Sequence, residues 1–268
     1  MPELKLNNNC TINLSLSEPA SIEAFFLFGL HKCGSSLLQK IFVDVCTELQ
    51  IPDISIPEAA FKQGISTPIW SGNESLNDVI RDGYCVRGFR DFPSFLAGNK
   101  LLPQRKKILL VRDPRDALVS AYFSFAQSHP LPKKGQLLAD IEKQRADIMG
   151  MDIESYVVNN APTFKNAFNK YQHNIGDNPL LKTYRYEDII FDKYNWIKDM
   201  LNFLDLSLEE SKIDEIAKKH NIVPIAEDTS SHVRKVKPGD HREKLSAECI
   251  AKINEVLAEV LDRHNYEH

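Results

Sequence analysis

The segment that most constrains the fold is GLHKCGSSLL, which runs from Gly29 to Leu38. An aromatic-rich apolar run, EAFFLFG, leads into it and predicts a buried strand. After it, apolar residues recur at helical spacing and predict an amphipathic helix: Leu37, Leu38, Ile41, Phe42, Val45, Cys46 and Leu49. A strand, a glycine loop and a helix in this order place a helix amino terminus where an anion can bind.

The loop reads G-x-x-x-x-G-S-S and is close to the P-loop pattern G-x-x-x-x-G-K-[ST], but its lysine is displaced. Lys32 lies inside the loop, and Ser35 occupies the position of the P-loop lysine. The predicted donors to an anion are the Lys32 side chain, two serine hydroxyls and the backbone N–H groups of Cys33, Gly34, Ser35, Ser36 and Leu37. The pattern alone is also compatible with a plain strand-to-helix turn.

Strands and helices are predicted to alternate along the rest of the chain. YCVRGF, KILLVR and PLLKTYRYE predict three more strands. Helices are predicted for RDALVSAYFSFAQ, for QLLADIEKQRADIM, for IESYVVNNAPTFKNAFNKYQ with an interruption at Pro162, for Tyr194 to Leu204, for Leu208 to Lys219 and for the apolar stripe from Cys249 to Leu261. Residues 51–77, with three prolines and two glycines, are predicted to form a long irregular segment.

This alternation predicts an α/β fold: one P-loop-like, three-layer domain over residues 1–268, with a central, mostly parallel sheet flanked by helices. In such sheets, ligands bind beyond the carboxyl ends of the strands. Polar clusters follow three of the predicted strands, namely GLHKCGSS, RDPRD and YED. We therefore expect these clusters to meet at one edge of the sheet.

Charge and cysteine content exclude several classes of protein. The net charge of -4 and the pI near 6.1 argue against a nucleic-acid-binding protein, which usually carries a basic excess. The five cysteines are odd in number and far apart, which favours reduced thiols over a disulfide framework or a zinc site: Cys10, Cys33, Cys46, Cys85 and Cys249. No signal peptide and no membrane span are predicted, so a cytoplasmic protein is expected.

Two further clusters carry charges suited to a phosphate. Arg112 ends a predicted strand and Ser120 follows eight residues later, so a guanidinium and a hydroxyl can share one anion. Between them, Asp113 and Pro114 predict a helix start, while Arg115 and Asp116 are expected to be solvated surface charges. The loop SHVRKVKPGD contains three cations, Arg234, Lys235 and Lys237, which matter only if this loop folds over an anion.

Together these motifs resemble the PAPS-dependent sulfotransferases, where PAPS is 3′-phosphoadenosine 5′-phosphosulfate. GLHKCGSSLL looks like the family's 5′-phosphosulfate loop, with Lys32 at its lysine position. RDPRDALVSAY looks like the 3′-phosphate motif, with Arg112 and Ser120 at the matching positions. YRYEDI resembles the family's Tyr-Glu-Asp segment, whose tyrosine, here Tyr186, is expected near the adenine. The resemblance runs from about Phe26 to the carboxyl terminus.

RKVKPGD resembles the family's carboxyl-terminal R-K-G-x-x-G-D loop, with Val236 in place of the first glycine. The resemblance implies that this loop closes on the 3′-phosphate. The implied contacts are Val233, Arg234 and Lys235. PAPS is then the donor substrate and PAP, the desulfonated nucleotide, is the product.

The implied reaction is in-line transfer of the sulfuryl group to an acceptor hydroxyl or amine, with Lys32 stabilising charge on the leaving phosphate. No metal is expected. Many family members have a Lys-Thr-His-Leu-Pro segment after the second strand, and its histidine is the base. Counted back from Pro93, this chain has Asp91 at the position of that histidine. The segment's lysine has no clean counterpart, although Arg87 or Arg90 can supply the charge. Asp91 is the predicted base. It is alternatively a partner of Arg90 or a cap for a helix from Ser94.

His31 is the competing candidate for the base, because an imidazole works near neutral pH. The acceptor is predicted to be a small molecule, with a weak preference for a lipophilic alcohol. Apolar surface for it is offered by Phe61, Trp70, Phe123 and Phe125. Two other functions stay open, a P-loop kinase and a catalytically inactive PAP(S)-binding protein, and the sequence predicts no oligomeric state.

Overall fold

The structure is a computed structural model, and it describes residues 3–5, 11–128, 130–133, 135–222 and 234–268. Two residues named above, Cys10 and Val233, lie outside the described residues. The strands of the described part are β1 (Glu3–Lys5), β2 (Thr11–Asn13), β3 (Phe25–Gly29), β4 (Asp53–Ile54), β5 (Cys85–Phe89), β6 (Lys107–Val111) and β7 (Leu181–Arg185).

The helices of the described part are α1 (Ser35–Glu48), α2 (Ile56–Lys62), α3 (Thr67–Trp70), α4 (Pro114–Phe123), α5 (Gln136–Met149), α6 (Ile153–Tyr171), α7 (Tyr186–Ile189), α8 (Lys193–Phe203), α9 (Glu210–Lys219), α10 (Asp240–Lys244) and α11 (Ala247–Arg263). Three 3₁₀ helices of the described part cover Glu74–Val79, Ser94–Gly98 and Leu102–Gln104. Short π-helical segments, Ser124–Ser128 and Gln172–Gly176, extend α4 and α6.

The central sheet has five parallel strands in the order β4-β5-β3-β6-β7. Strands β1 and β2 form a separate antiparallel pair. Because side chains alternate between the faces of a strand, Phe25 and Leu27 of β3 pack in one core with α1, α8 and α9. Phe26 and Phe28 pack in the opposite core with α2, α3 and α6. The predicted three-layer α/β architecture is therefore confirmed.

The order of the strands creates a crevice at the carboxyl end of β3. The chain starts the sheet with β3, adds β4 and β5 on one side, and then adds β6 and β7 on the other. The connection after β3 runs to one side, to β4, whereas the connection after the adjacent strand β6 runs to the other side, to β7, and open α/β sheets bind ligands where the direction reverses in this way. The segments that follow β3, β5, β6 and β7 all begin at this edge.

Two predictions about local structure were wrong. Residues 51–77 are not one irregular segment, because they form β4, α2, α3 and part of a 3₁₀ segment. These elements have seven residues or fewer, too short to show a periodic pattern. Pro162 does not interrupt its helix: α6 is continuous, with Val157 and Ala161 fully buried in a core shared with α4 and α11. Packing there outweighs the lost backbone hydrogen bond.

In the part of the chain that the structure describes, no helix combines the length and the apolar character needed to cross a membrane.

Candidate active site

A cavity of about 1660 Å³ opens at the carboxyl edge of the sheet. Its wall contains most of the residues predicted from the sequence: His31, Lys32, Gly34, Ser35, Ser36, Leu37, Phe61, Trp70, Asp91, Arg112, Ser120, Phe123, Tyr186, Arg234 and Lys235. The sheet therefore brings together motifs that are up to two hundred residues apart in the chain.

The glycine loop between β3 and α1 has a left-handed backbone. Lys32 has φ 61° and Gly34, the N-cap of α1, has φ 86°. A Cβ atom at Gly34 would lie 2.9 Å from Cδ2 of Tyr186 and 3.2 Å from Cδ2 of Leu110. Both the positive φ and the close ring require glycine at this position. No side chain caps α1, so its first N–H groups face the cavity without a competing acceptor.

The donors of the loop are fewer than the sequence predicts. The N–H of Cys33 donates to the Leu30 carbonyl at 3.2 Å, and the N–H of Leu37 donates to the Gly34 carbonyl at 2.9 Å. Within the described residues, the N–H groups of Gly34, Ser35 and Ser36 have no acceptor. The N–H groups available to an anion, called the anion cradle below, are therefore those of these three residues at the start of α1.

The Cys33 side chain points away from the cavity. It is completely buried, and its thiol lies 3.4 Å from the His31 carbonyl oxygen. Burial raises the pKa of Cys33 to about 12, so the thiol is not ionised near neutral pH. Cys33 shapes the loop and is not a nucleophile. Cys46 and Cys249 are core residues, as their helical positions predict.

Lys32 lies at the centre of a group of cations. Its pKa is lowered to about 8, first by burial and then by the positive charges of Arg90, Arg112 and Arg234. Like charges gathered in a partly buried site repel one another, and a bound anion relieves that repulsion. These four cations come from four separate segments of the chain, so the positive cleft is a product of the tertiary fold in a protein of net charge -4.

Arg112 is buried beside the glycine loop. Its Nη1 donates to the Lys32 carbonyl at 3.4 Å, and its Cζ lies 4.7 Å from the centre of the Tyr186 ring. Its Nε is buried and has no hydrogen-bond partner in the described residues. Ser120, from α4, lines the same cavity. A buried guanidinium with an unused donor is suited to bind an anion.

The carboxyl-terminal loop lies over the cation group. Arg234 forms a short hydrogen bond with the buried carboxylate of Asp240, and its Cζ lies 4.4 Å from the centre of the Phe123 ring. Lys235 Nζ donates to Asp240 at 3.0 Å and to Glu243 at 2.5 Å. The Tyr186 hydroxyl donates to the Val236 carbonyl at 3.1 Å. The described part of this loop, from Arg234 onward, therefore lies in the wall of the cavity, packed against Phe123 and Tyr186.

Arg115 and Asp116 are buried, contrary to the expectation of solvated surface charges. Arg115 makes an ion pair of 2.8 Å with Asp113 and also donates to Asn254 and to the Glu267 carbonyl. Asp113 keeps its predicted role as the N-cap of α4. Arg115 is covered by α11 and the carboxyl-terminal segment, and Asp116 is covered by the segment that contains Gly239 and His241. The spacing of the motif reveals neither contact.

The two arginines of β5 and its following turn have different partners. Arg87 pairs with Asp53 at 2.8 Å and with Glu58 at 3.3 Å, on the side of β4 and α2. Arg90 Nη2 instead donates to the Ser36 hydroxyl at 3.3 Å. Of the two candidates for the missing lysine, Arg90 is the one that reaches the anion cradle.

Asp91 lines the cavity and is partly exposed. Its Oδ2 lies 2.5 Å from Nζ of Lys170 and its Oδ1 accepts the N–H of Phe92 at 3.0 Å. Asp91 therefore neither pairs with Arg90 nor caps the segment from Ser94, whose cap position is occupied by Pro93. Lys170, on α6, was not identified from the sequence, and no local pattern distinguishes it from other helix-surface lysines.

The four remaining candidates, His31, Phe61, Trp70 and Phe123, line the cavity in different surroundings. His31 is exposed, and its ring centre lies 6.2 Å from that of Phe125. Phe61 is half-buried, while Trp70 is only 5% exposed and packs against other aromatic rings of the core. The Arg234 guanidinium lies over the ring of Phe123, so part of that ring packs against the carboxyl-terminal loop and not against the open cavity.

Comparisons with known proteins agree with this architecture. A family model described as the sulfotransferase domain matches residues 23–265. The solved structure of mouse sulfotransferase SULT7A1 complexed with PAP has a TM-score of 0.55 and 15% identity, covering 93% of this chain and 91% of that chain. Retinol dehydratase in complex with androsterone and inactive cofactor PAP has a TM-score of 0.47 and 15% identity, covering 89% and 80%. None of the curated proteins compared matches the sequence.

Proposed function

The chain belongs to the sulfotransferase domain family, and on that premise we propose that it transfers the sulfuryl group of PAPS to a hydroxyl or amine of a small-molecule acceptor. The observation that carries the proposal is the group of cations around Lys32, whose pKa is lowered by burial and by three neighbouring guanidinium groups. Such a group favours an anionic ligand, and PAPS carries anions at both its 5′ and 3′ positions.

The residues present fit these two anions. The N–H groups of Gly34, Ser35 and Ser36, with Lys32 and Arg90, form one cradle for the 5′-phosphosulfate. A second cradle, for the 3′-phosphate, is supported by the Nε of Arg112, which has no hydrogen-bond partner in the described residues. We assign Ser120, Arg234 and Lys235 to the same cradle. Val233 is kept in this assignment although it lies outside the described residues. Tyr186, which packs on Arg112, is assigned to the adenine side.

PAPS supplies an activated sulfuryl group joined to a phosphate leaving group. Lys32, when protonated, stabilises the charge that develops on the leaving phosphate, and Arg90 holds Ser36 towards the same cradle. Asp91 is proposed to accept the proton of the acceptor, supported by its place in the wall of the cavity. His31 is the alternative base in that wall.

The acceptor is assigned to the apolar part of the cavity, which Phe61, Trp70 and Phe123 line. A kinase is less well supported, because Ser35 is buried where a P-loop kinase carries its lysine. We propose a cytoplasmic location, which is consistent with the unpaired, buried cysteines of the described residues, Cys33, Cys46, Cys85 and Cys249.

A binding experiment tests the proposal. PAP should raise the melting temperature of the protein more than AMP or ADP does, because only PAP carries the 3′-phosphate assigned to Arg112. Arg112→Ala should remove most of that difference. Equal stabilisation by PAP and AMP would contradict the assignment, and binding of PAP without turnover of labelled PAPS across a broad acceptor screen would indicate an inactive PAP-binding protein.

A further inference from the structure

Asp116, on α4, is an almost completely buried carboxylate with partners in two separate segments of the chain. Its Oδ2 accepts the Gly239 N–H at 2.7 Å, and its Oδ1 accepts the His241 N–H at 2.9 Å. Oδ1 also lies 2.6 Å from Nδ1 of the His241 ring. Although burial opposes it, the hydrogen bonds from His241 and the charge of Arg112 hold the pKa of Asp116 below its ordinary value.

The segment held in this way carries the cations of the carboxyl-terminal loop. Asp240 lies between the two residues whose N–H groups Asp116 accepts, and its buried carboxylate pairs with Arg234 and Lys235. Gly239 has φ 90°, which bends the backbone so that both N–H groups point at one carboxylate. Asp116 therefore fixes the backbone that in turn fixes the Arg234 guanidinium.

The same carboxylate faces the other guanidinium of the proposed 3′-phosphate cradle. Nη2 of Arg112 lies 3.6 Å from Oδ2 of Asp116, which is close enough for charge attraction and too long for a strong hydrogen bond. The lone pairs of Asp116 are used mainly by the loop, and Arg112 keeps its unpartnered Nε. One carboxylate thus sets the positions of two guanidinium groups from distant parts of the chain.

We propose that Asp116 is a positioning residue that sets the spacing of Arg112 and Arg234 and thereby the preference for nucleotides that carry a 3′-phosphate. The inference rests on the proposed function, since it assigns the 3′-phosphate to these two arginines. Asp116 acts from behind Arg112 and is not one of the residues that line the cavity. His241 supports it, because its backbone and its ring both donate to the same oxygen.

The test is calorimetric titration with PAP and AMP, which differ only in the 3′-phosphate. Asp116→Asn keeps the size of the side chain but cannot accept both backbone N–H groups. It should lower the ratio of PAP to AMP affinity by on the order of tenfold, because the segment that positions Arg234 loses its backbone anchor. AMP affinity itself should change little.

Asp113→Asn is the matched control. Asp113 is also a buried carboxylate at the start of α4, but its partners are Arg115 and its own helix. The control should lower the melting temperature and leave the PAP to AMP ratio unchanged. If Asp116→Asn behaves like this control, Asp116 serves stability alone and the inference is wrong.

A second pair of variants decides the case if Asp116→Asn does not fold. His241→Leu removes the ring donor and should lower the PAP to AMP ratio, whereas His241→Asn retains a donor near the place of Nδ1 and should restore it. An unchanged ratio in His241→Leu would overturn the inference. A parent protein that binds PAP and AMP equally would refute the proposed function and this inference with it.

Discussion

Arg90 Nη2 donates to the Ser36 hydroxyl at 3.3 Å, so a guanidinium from beyond the end of β5 reaches the first turn of α1. Three residues earlier, Arg87 pairs with Asp53 and Glu58 on the opposite side. The neighbouring strand therefore supplies one arginine to the anion cradle and one to the scaffold. Arg87 is 7% exposed and Arg90 is half-buried, so burial alone does not show which of them serves the site.

This difference predicts opposite phenotypes for two matched variants. Arg90→Gln should lower kcat by on the order of 10²-fold, because it removes a cation that stabilises the negative charge developing on the leaving phosphate. Arg87→Gln should keep kcat within a few-fold and lower the melting temperature by about 2–4 °C, because it removes a partly buried ion pair. Kinetics with an acceptor found by screening, together with thermal denaturation, measures both. The reverse pattern would place Arg87 in the site.

PAP affinity should depend on pH through Lys32. Its pKa of about 8 in the free protein, caused by burial and then by Arg90, Arg112 and Arg234, lies below the ordinary value for lysine. An anion beside Lys32 favours the charged form and raises this pKa, so binding takes up a proton once Lys32 is deprotonated. Affinity should therefore fall as the pH rises above about 8, by at most tenfold for each pH unit.

Calorimetric titration between pH 7.5 and 9.5 (a range in which the phosphates of PAP are already ionised) measures this trend in two buffers of different ionisation enthalpy. Lys32→Met should flatten the dependence, whereas Lys62→Met, which alters a mostly exposed lysine on α2, should leave it as in the parent. An affinity that rises with pH across this window would contradict the role of Lys32.

Asp91 is the proposed general base, and its replacement tests that role. Asp91→Asn keeps the size of the side chain and removes the carboxylate, so kcat should fall by on the order of 10²–10⁴ while PAP affinity stays near that of the parent. His31→Asn is the comparison for the competing base. Loss of activity in His31→Asn with activity retained in Asp91→Asn would move the role to His31, and loss of folding in Asp91→Asn would mark the pair with Lys170 as structural.

Gly34 should not tolerate a side chain. Gly34→Ala forces a positive φ on a residue with a Cβ atom, at a cost of about 1–2 kcal/mol, and places that atom 2.9 Å from the Tyr186 ring. The variant should melt several degrees lower and lose PAP binding. Gly150→Ala is the control, because Gly150 has φ -82° and a Cβ atom there would make only ordinary contacts, the nearest with the Asp147 carbonyl oxygen at 3.6 Å. Equal effects of both variants on PAP binding would show that the loop geometry is not required.

The sequence by itself determined the strand, glycine loop and helix around Lys32, the α/β class and the order of the anion-binding motifs. These features are local: apolar periodicity, glycine positions and the spacing of charges are read within one or two dozen residues. The structure agrees closely with what these local features predict, as the bounds of α1 and α5 show. Local pattern was a poorer guide for residues 51–77 and at Pro162, where short elements and packing determine the conformation.

Only the tertiary structure decided which charged side chain serves which purpose. Asp116 is buried because the segment of Gly239 and His241, more than a hundred residues later, packs over it and donates hydrogen bonds to its carboxylate. Asp91 meets Lys170 because α6 crosses the end of β5, and Arg90 differs from Arg87 only through the elements that each one faces. A charge contributes according to its burial and its partners, and both depend on segments that are distant in the chain.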